Sequence, residues 1–339
     1  MTSTSTSIAP SAEPTGAGPA FAPLALEDAA ELAALLTHLE HVDGIEETVD
    51  ETDAREMLTS PGFDPATDGI GVRLDGELIG YASVMLGTSP DEEGFIRASL
   101  GGGVHAAHRR AGLGSRLLAF AERRAAELMA QRHPGRPYHL RASGGVSTST
   151  VRPLLEREGY GQVRTWLDLA RELPGEELAA PEIDGVHIGP ARDEDSADVH
   201  AAHLAAFQDH WGYAPIDEAR WASFWNSAKT RRDLASVARD ASTGEVLAYV
   251  LTSVYEAGSL YIGLVGTVRS ARGRGIARAA LASTIARAAQ DGTLHEATLE
   301  VDADSPTGAT RLYEKVGFRT VRERVTYAKD MPAAAPARR

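Results

Sequence analysis

The feature that most constrains this chain is a glycine-rich corner that occurs twice. One copy reads Arg272-Gly273-Arg274-Gly275-Ile276-Ala277, the other Arg109-Arg110-Ala111-Gly112-Leu113-Gly114. Each follows an apolar, strand-like stretch, residues 260–268 and 95–104, and each opens a run with helical spacing, residues 276–289 and 115–130. Glycine at a strand-to-helix corner lets the backbone turn its amides toward a ligand. The first N–H groups of the helix have no intrahelical partner and carry partial positive charge. Together they make a seat for phosphate or pyrophosphate. Two such corners, one domain length apart, read as a tandem duplication of one ligand-binding unit.

The segments between the corners repeat in the same order. In the first unit, residues 26–39 have helical spacing. Residues 70–74 and 78–86 form a hairpin about Asp75-Gly76, a dipeptide suited to strand twist. After the corner and its helix come a strand at 138–142, a helix at 147–157 stopped by Gly159, and a closing strand at 164–170. The second unit starts at 187–190. It continues with a helix at 193–206, a hairpin of 237–240 and 246–254 about Thr243-Gly244, a strand at 297–301, a helix at 310–315 stopped by Gly317, and a closing strand at 321–328. The organisation is therefore a tail over 1–20, a domain over 21–173, a linker over 174–184 with Pro174, Gly175 and Pro181, a domain over 185–330, and a tail over 331–339.

Composition narrows the function classes. At 339 residues there is room for two ordinary domains. A net charge of −14 argues against general binding to nucleic acid or anionic membrane, which uses clustered positive charge. The chain has no cysteine, which removes disulfides and a thiol nucleophile. The first residues lack the basic and apolar regions of a signal peptide, and no run is long enough to span a bilayer. These point to a soluble cytoplasmic protein, expected to be a monomer or a homodimer.

The order strand, Arg-x-x-Gly-x-Gly/Ala corner, helix, strand, then Leu-Tyr-x-x-x-Gly-Phe resembles the GCN5-related N-acetyltransferases (GNAT). The second copy has Arg272, Gly275 and Ala277, then Leu312-Tyr313-Glu314-Lys315-Val316-Gly317-Phe318. The first has Arg109, Gly112 and Gly114, then Leu154-Leu155-Glu156-Arg157-Glu158-Gly159-Tyr160. Two-copy acetyltransferases of this kind include the mycothiol synthases of actinobacteria, and the Ala- and Arg-rich composition suits such a source. The resemblance implies an α/β (α+β) fold of two tandem GNAT-type domains, each a mixed, mostly antiparallel sheet flanked by helices. It implies acetyl-CoA as acetyl donor and no metal. The pyrophosphate would sit on the amides of Arg272, Gly273, Arg274, Gly275, Ile276 and Ala277. The pantetheine arm would pair with the strand end at Val265, Gly266 and Thr267. Ser305, where the family often has Asn, would contact the cofactor arm. Tyr313 would protonate the departing thiolate. Arg109, Gly112 and Gly114 would form the matching cofactor corner in the first copy. Leu155 there cannot donate a proton, so the first domain is expected to be catalytically silent.

Other residues leave two readings open. The loop Phe207-Gln208-Asp209-His210-Trp211-Gly212-Tyr213 stands where the family places its acceptor loop. Asp209 or His210 could take the acceptor's proton, His210 having the better-placed ordinary pKa, and Trp211 could contact the substrate. The same loop also reads as a cap whose Trp211 packs on the domain. Trp221 and Trp225, at i and i+4, read as packing. Asp302 and Asp304 read as loop solvation, because no further ligands stand at metal spacing. The pairs His105/His108 and His200/His203 have i, i+3 spacing with nothing else to support a metal. The functions that fit are acetyl transfer to the primary amine of a small molecule by the second domain, a mycothiol-synthase-like reaction on an amino-thiol glycoside, or a non-catalytic acyl-CoA-binding regulator.

Overall fold

The computed structural model describes residues 18–333 except 46, 177, 179, 209–212, 306 and 307. The first half runs β1 (Ala20–Pro23), α1 (Ala29–Val42), α2 (Glu51–Leu58), α3 (Pro65–Asp68), β2 (Gly69–Leu74), β3 (Glu77–Leu86), β4 (Ile96–Val104), α4 (Leu113–Arg132), β5 (Tyr138–Gly145), α5 (Arg152–Arg157) and β6 (Gly161–Glu172). The second half runs β7 (Val186–Gly189), α6 (Ser196–Ala206), α7 (Glu218–Trp225), β8 (Ser236–Asp240), β9 (Val246–Glu256), β10 (Ser259–Thr267), α8 (Ile276–Asp291), β11 (Glu296–Asp302), α9 (Ala309–Glu314) and β12 (Arg319–Met331). Among the described residues no helix is long and apolar enough to cross a membrane.

Among the described residues twelve strands form one sheet in the order β1-β2-β3-β4-β5-β12-β6-β11-β10-β9-β8-β7. Pairing is antiparallel except for β4 with β5 and β10 with β11. The order departs from the expected organisation at one place. Strand β6, expected to close the first unit, pairs with β11 and β12 of the second half. The neighbour of β5 is instead β12, the closing strand of the second half. Each half thus supplies the strand that completes the other. The physical reason is that ladder pairing is made by backbone groups. Two closing strands of similar pattern satisfy either edge, and the exchange leaves neither edge open.

Strand alternation separates two faces. In β11, Ala297, Leu299 and Val301 join Leu281, Ile285 and Phe318 in the core under α8 and α9. Thr298 and Glu300 point to the opposite face. In the first half, Ile96, Leu140, Leu128, Met129 and Leu155 form the matching core under α4 and α5. Each such fully buried aliphatic side chain contributes roughly 1.5–3 kcal/mol. On the opposite side, α1 and α2 pack around Leu32, Leu58 and Tyr81, and α6 and α7 around Val199, Trp221, Trp225 and Tyr249. The halves are also tied there. Lys229 Nζ lies 2.6 Å from Asp50, and Ser227 Oγ donates to Glu56 at 2.9 Å.

Candidate active site

In the second half the corner forms as its glycines require. Gly273 and Gly275 take φ of 77° and 79°, a region costly for other residues. Gly275 is the N-cap of α8, and no side chain caps it. The first amides of a sixteen-residue helix therefore face outward. Ile276 is buried beneath them, so its backbone and not its side chain faces a ligand. Arg274 is exposed at the rim, within electrostatic reach of Asp240. Arg272 has a different task. Its Nε donates to the Thr267 carbonyl at 3.4 Å and Nη2 to the Ala206 carbonyl at 2.8 Å. It pins the end of β10 to the end of α6 and so fixes where the corner starts.

The strand entering the corner is half free. β10 pairs with β11 only through Ser259, Leu260 and Tyr261. From Ile262 onward the two strands diverge, while β10 stays paired with β9 up to Thr267. Val265, Gly266 and Thr267 thus lie on an edge whose β11 side has no strand partner among the described residues. Unpaired backbone groups at a cleft want a partner, which an amide-bearing arm supplies by adding to the edge. Gly266 is required for a second reason. A Cβ there would overlap the ring and hydroxyl of Tyr249. Ser305 lies in the turn after β11, its N–H bonded to the Asp302 carbonyl at 3.1 Å.

Tyr313, on α9, is 8% exposed and packs edge-on against Phe318. Burial pushes its pKa up to about 12. Among the described residues its hydroxyl makes no hydrogen bond. Beside it stands Tyr249, wholly buried, whose pKa is raised well above the usual value by burial and then by Tyr313 and Tyr213. The Tyr249 hydroxyl and His203 Nδ1 are 2.7 Å apart. Sequence reading missed this pair. Tyr249 sits in an apolar run that reads as core, and His203 stood out only for its spacing from His200. His200 proves structural, with Nε2 3.0 Å from the Ile216 carbonyl and its ring stacked on Trp221. Trp221 and Trp225 are buried in the core, as their spacing suggested. Asp209, His210, Trp211 and Gly212 lie outside the described residues.

The corner of the first half has the same backbone. Gly112 is the N-cap of α4 with φ 79°, and Arg110, in the place of Gly273, holds φ 67°. A non-glycine residue in that region costs roughly 1–2 kcal/mol, so the loop keeps its shape against strain. Arg109 repeats the pin, with Nε donating to the Val104 carbonyl at 3.0 Å. β4 runs past its last pairing with β5 at Leu100. The gap opens into a cavity of about 580 Å³ reached by Tyr81, Gly101, Gly112, Gly114, Leu155 and, from the second half, Arg324. Leu155, in the place of Tyr313, is 1% exposed.

The two gaps also differ on the sheet face turned away from α4 and α8. Tyr261 and Glu300 lie on that face in the second half, with Asp168 directly across from Glu300. Arg324 Nε is bonded to Asp168 at 2.7 Å. Burial raises the pKa of Glu300; Arg324 opposes the rise, and Asp168 and Glu47 add to it. Among the described residues the Glu300 carboxylate has no hydrogen-bond partner.

Comparison with known proteins agrees with this geometry. The acetyltransferase (GNAT) family model matches residues 33–133 and again 197–318. A mycothiol acetyltransferase of Kineococcus radiotolerans is 31% identical over 262 residues, which is 75% of this chain and 78% of the relative. A solved GCN5-related N-acetyltransferase of Sphaerobacter thermophilus superposes with a TM-score of 0.73 at 26% identity, covering 93% of this chain and 96% of that one. A tandem GNAT protein from the clavulanic acid biosynthesis pathway superposes with a TM-score of 0.67 at 18% identity, over 94% of this chain and 99% of that one, and so shares the fold.

Proposed function

Because this chain belongs to the GNAT family and is an N-acetyltransferase, we propose that its second half moves the acetyl group of acetyl-CoA to the primary amine of a small molecule, and that its first half is catalytically silent. The observation that carries the reading is Tyr313. Its ring packs in the core cluster with Ile262 of β10 and Leu299 and Val301 of β11, and among the described residues its hydroxyl has no hydrogen-bond partner, whereas the first half has Leu155. Acetyl-CoA supplies a thioester that an amine can attack, with the CoA thiol as leaving group. The outward amides of residues 273–277 would hold its pyrophosphate. The free edge at Val265, Gly266 and Thr267 would hold its arm, and one N–H there would polarise the acetyl carbonyl and stabilise negative charge as the amine adds.

Tyr313 then donates a hydrogen bond to the leaving sulfur. Full transfer of its proton from a hydroxyl near 12 to a thiolate near 8.5 would cost roughly 5 kcal/mol, so the favourable role is stabilisation of the developing thiolate. Glu300, beside Tyr261 and with no hydrogen-bond partner among the described residues, shares its charge with Arg324 and is proposed to attract an acceptor ammonium. Asp209, His210 and Trp211 remain the proposed proton acceptors and substrate contact. In the first half, Arg109, Gly112 and Gly114 are proposed to hold a CoA-type phosphate without turnover. The 31% identity to a mycothiol acetyltransferase favours a second reading, in which the acceptor is the amine of an amino-thiol glycoside.

The test is thiol release from acetyl-CoA with a panel of small amines that includes an amino-thiol glycoside. One or more amines should support turnover, and Tyr313→Phe should lower it by roughly 10²-fold. Release that no amine stimulates, or a folded Tyr313→Phe protein with unchanged turnover, would reject the reading.

A further inference from the structure

The halves differ in what holds the tyrosine that lies against the corner strand. Tyr249 pairs with Gly266 and Tyr81 with Gly103, and each glycine stands six residues before its pinning arginine. In the second half the Tyr249 hydroxyl is 2.7 Å from His203 Nδ1. His203 comes eight residues after Asp195, whose carboxylate accepts the Arg192 N–H just ahead of α6. Asp28 accepts the Ala25 N–H in the same way ahead of α1, and eight residues after it stands Leu36. An aliphatic side chain offers a hydroxyl nothing. Tyr81 is 7% exposed, and among the described residues its hydroxyl has no hydrogen-bond partner. A buried donor left unmade is costly, and a ligand acceptor relieves it.

The hydroxyl stands where the strand edge becomes free. β4 pairs with β5 for the last time at Leu100, and a Cβ on the next residue, Gly101, would lie 3.7 Å from the Tyr81 oxygen. Tyr81 lines the cavity of about 580 Å³, a volume in the range of small-molecule sites. Gly112 and Arg110 line it at the corner, and Leu36, Leu39 and Ile45 line it beside Tyr81. Burial, then Glu40, pushes the Tyr81 hydroxyl up to about 12, so near neutrality it is a donor. Glu40 and Arg324 also line the wall, and Arg324 opposes the rise that burial gives the Glu40 pKa, so the two charges offset each other. One cavity therefore joins a phosphate seat, a single buried donor and an aliphatic wall. These fit in turn a nucleotide phosphate, a carbonyl and a run of methylenes.

We propose that the first half binds a CoA thioester whose acyl group is longer than acetyl, with Tyr81 donating to the acyl carbonyl and the chain packing on Leu36, Leu39 and Ile45. This rests on the reading that Arg109, Gly112 and Gly114 hold a CoA-type phosphate, and it gives the molecule held there an acyl class. Leu155 supplies no proton to a departing thiolate, so the thioester is held and not consumed.

The test is calorimetric titration of the full-length Gly275→Asp variant, its second corner blocked, with CoA, acetyl-CoA, butyryl-CoA and hexanoyl-CoA. CoA should bind, affinity should rise along the series, and hexanoyl-CoA should bind at least about tenfold tighter than acetyl-CoA. Adding Gly112→Asp should remove all of this binding. Adding Leu36→His instead gives Tyr81 the partner that Tyr249 has, and should erase the hexanoyl advantage while acetyl-CoA still binds. If the Leu36→His protein does not fold, the chain-length series decides alone. CoA binding with no gain from the hexanoyl group would overturn the proposal and leave the phosphate reading standing. A gain that survives in the folded Leu36→His or Gly112→Asp protein would also overturn it. Failure of CoA itself to bind would overturn the phosphate reading, and the proposal with it.

Discussion

The two halves of this chain share a backbone and differ in the few side chains that face it. Both have a left-handed N-cap glycine, a pinning arginine and a strand that leaves its neighbour before the corner. Arg110 holds the left-handed conformation even without glycine. Around the gap the agreement ends. The second half has Tyr313, the Tyr249–His203 pair, Tyr261 and Glu300. The first has Leu155, and Tyr81 with Leu36 and Leu39. Tyr81, like Tyr249, faces the corner glycine strand, but among the described residues its hydroxyl has no hydrogen bond. The lesson is that cradle and chemistry are separable. Amides, helix ends and free strand edges belong to the fold. Proton donors and charges are a handful of side chains that can differ without disturbing it.

The largest expected effect concerns the exchanged strands. If the halves complete one another, neither should fold alone. Residues 21–173 without β12, or residues 174–333 without β6, should give no cooperative thermal transition, and mixing them should restore one. A sharp transition in either isolated fragment would show that the exchange is dispensable.

A smaller effect should follow from imposing the first half's setting on the second. His203→Leu leaves the buried Tyr249 hydroxyl without its partner, at a cost of about 1–3 kcal/mol in denaturant unfolding. Adding Tyr249→Phe should recover much of that loss, because the polar pair is then removed whole. Costs that simply add would mean that the two residues act independently.

The smallest effect is in pH dependence. The carboxyl of Glu300 is held above its ordinary value, so the folded state binds its proton more tightly than the unfolded state does. Stability attributable to this group is therefore lost as pH rises from about 4.3 through the raised folded value. Glu300→Gln should remove that decline and be slightly more stable than wild type above it. Parallel pH profiles for the two proteins would contradict the assignment.

Both corners, both hairpins and the Tyr313–Leu155 difference were legible in the sequence, since each rests on local pattern. Helix α2 was not. Only Ala54 and Leu58 are buried in it, and it is held by a capping box between Asp50 and Asp53 and not by an apolar stripe. The helix expected over 147–157 starts at Arg152, with Pro153 in its first turn, where proline is tolerated. The strand exchange was invisible because closing strands of similar pattern specify no partner. Tyr249 and His203 were hidden because their meaning comes from the approach of Gly266, which is set by the fold and not by spacing.

The central claim is that one corner serves turnover and the other does not. The direct measurement is acetyl-CoA affinity and turnover of Gly275→Asp and Gly112→Asp, each shown to be folded. An added carboxylate at a pyrophosphate seat should weaken binding there by more than ~10-fold. We predict that Gly275→Asp loses turnover with that affinity, while Gly112→Asp retains most of it. Equal loss of turnover in both folded variants would contradict the account.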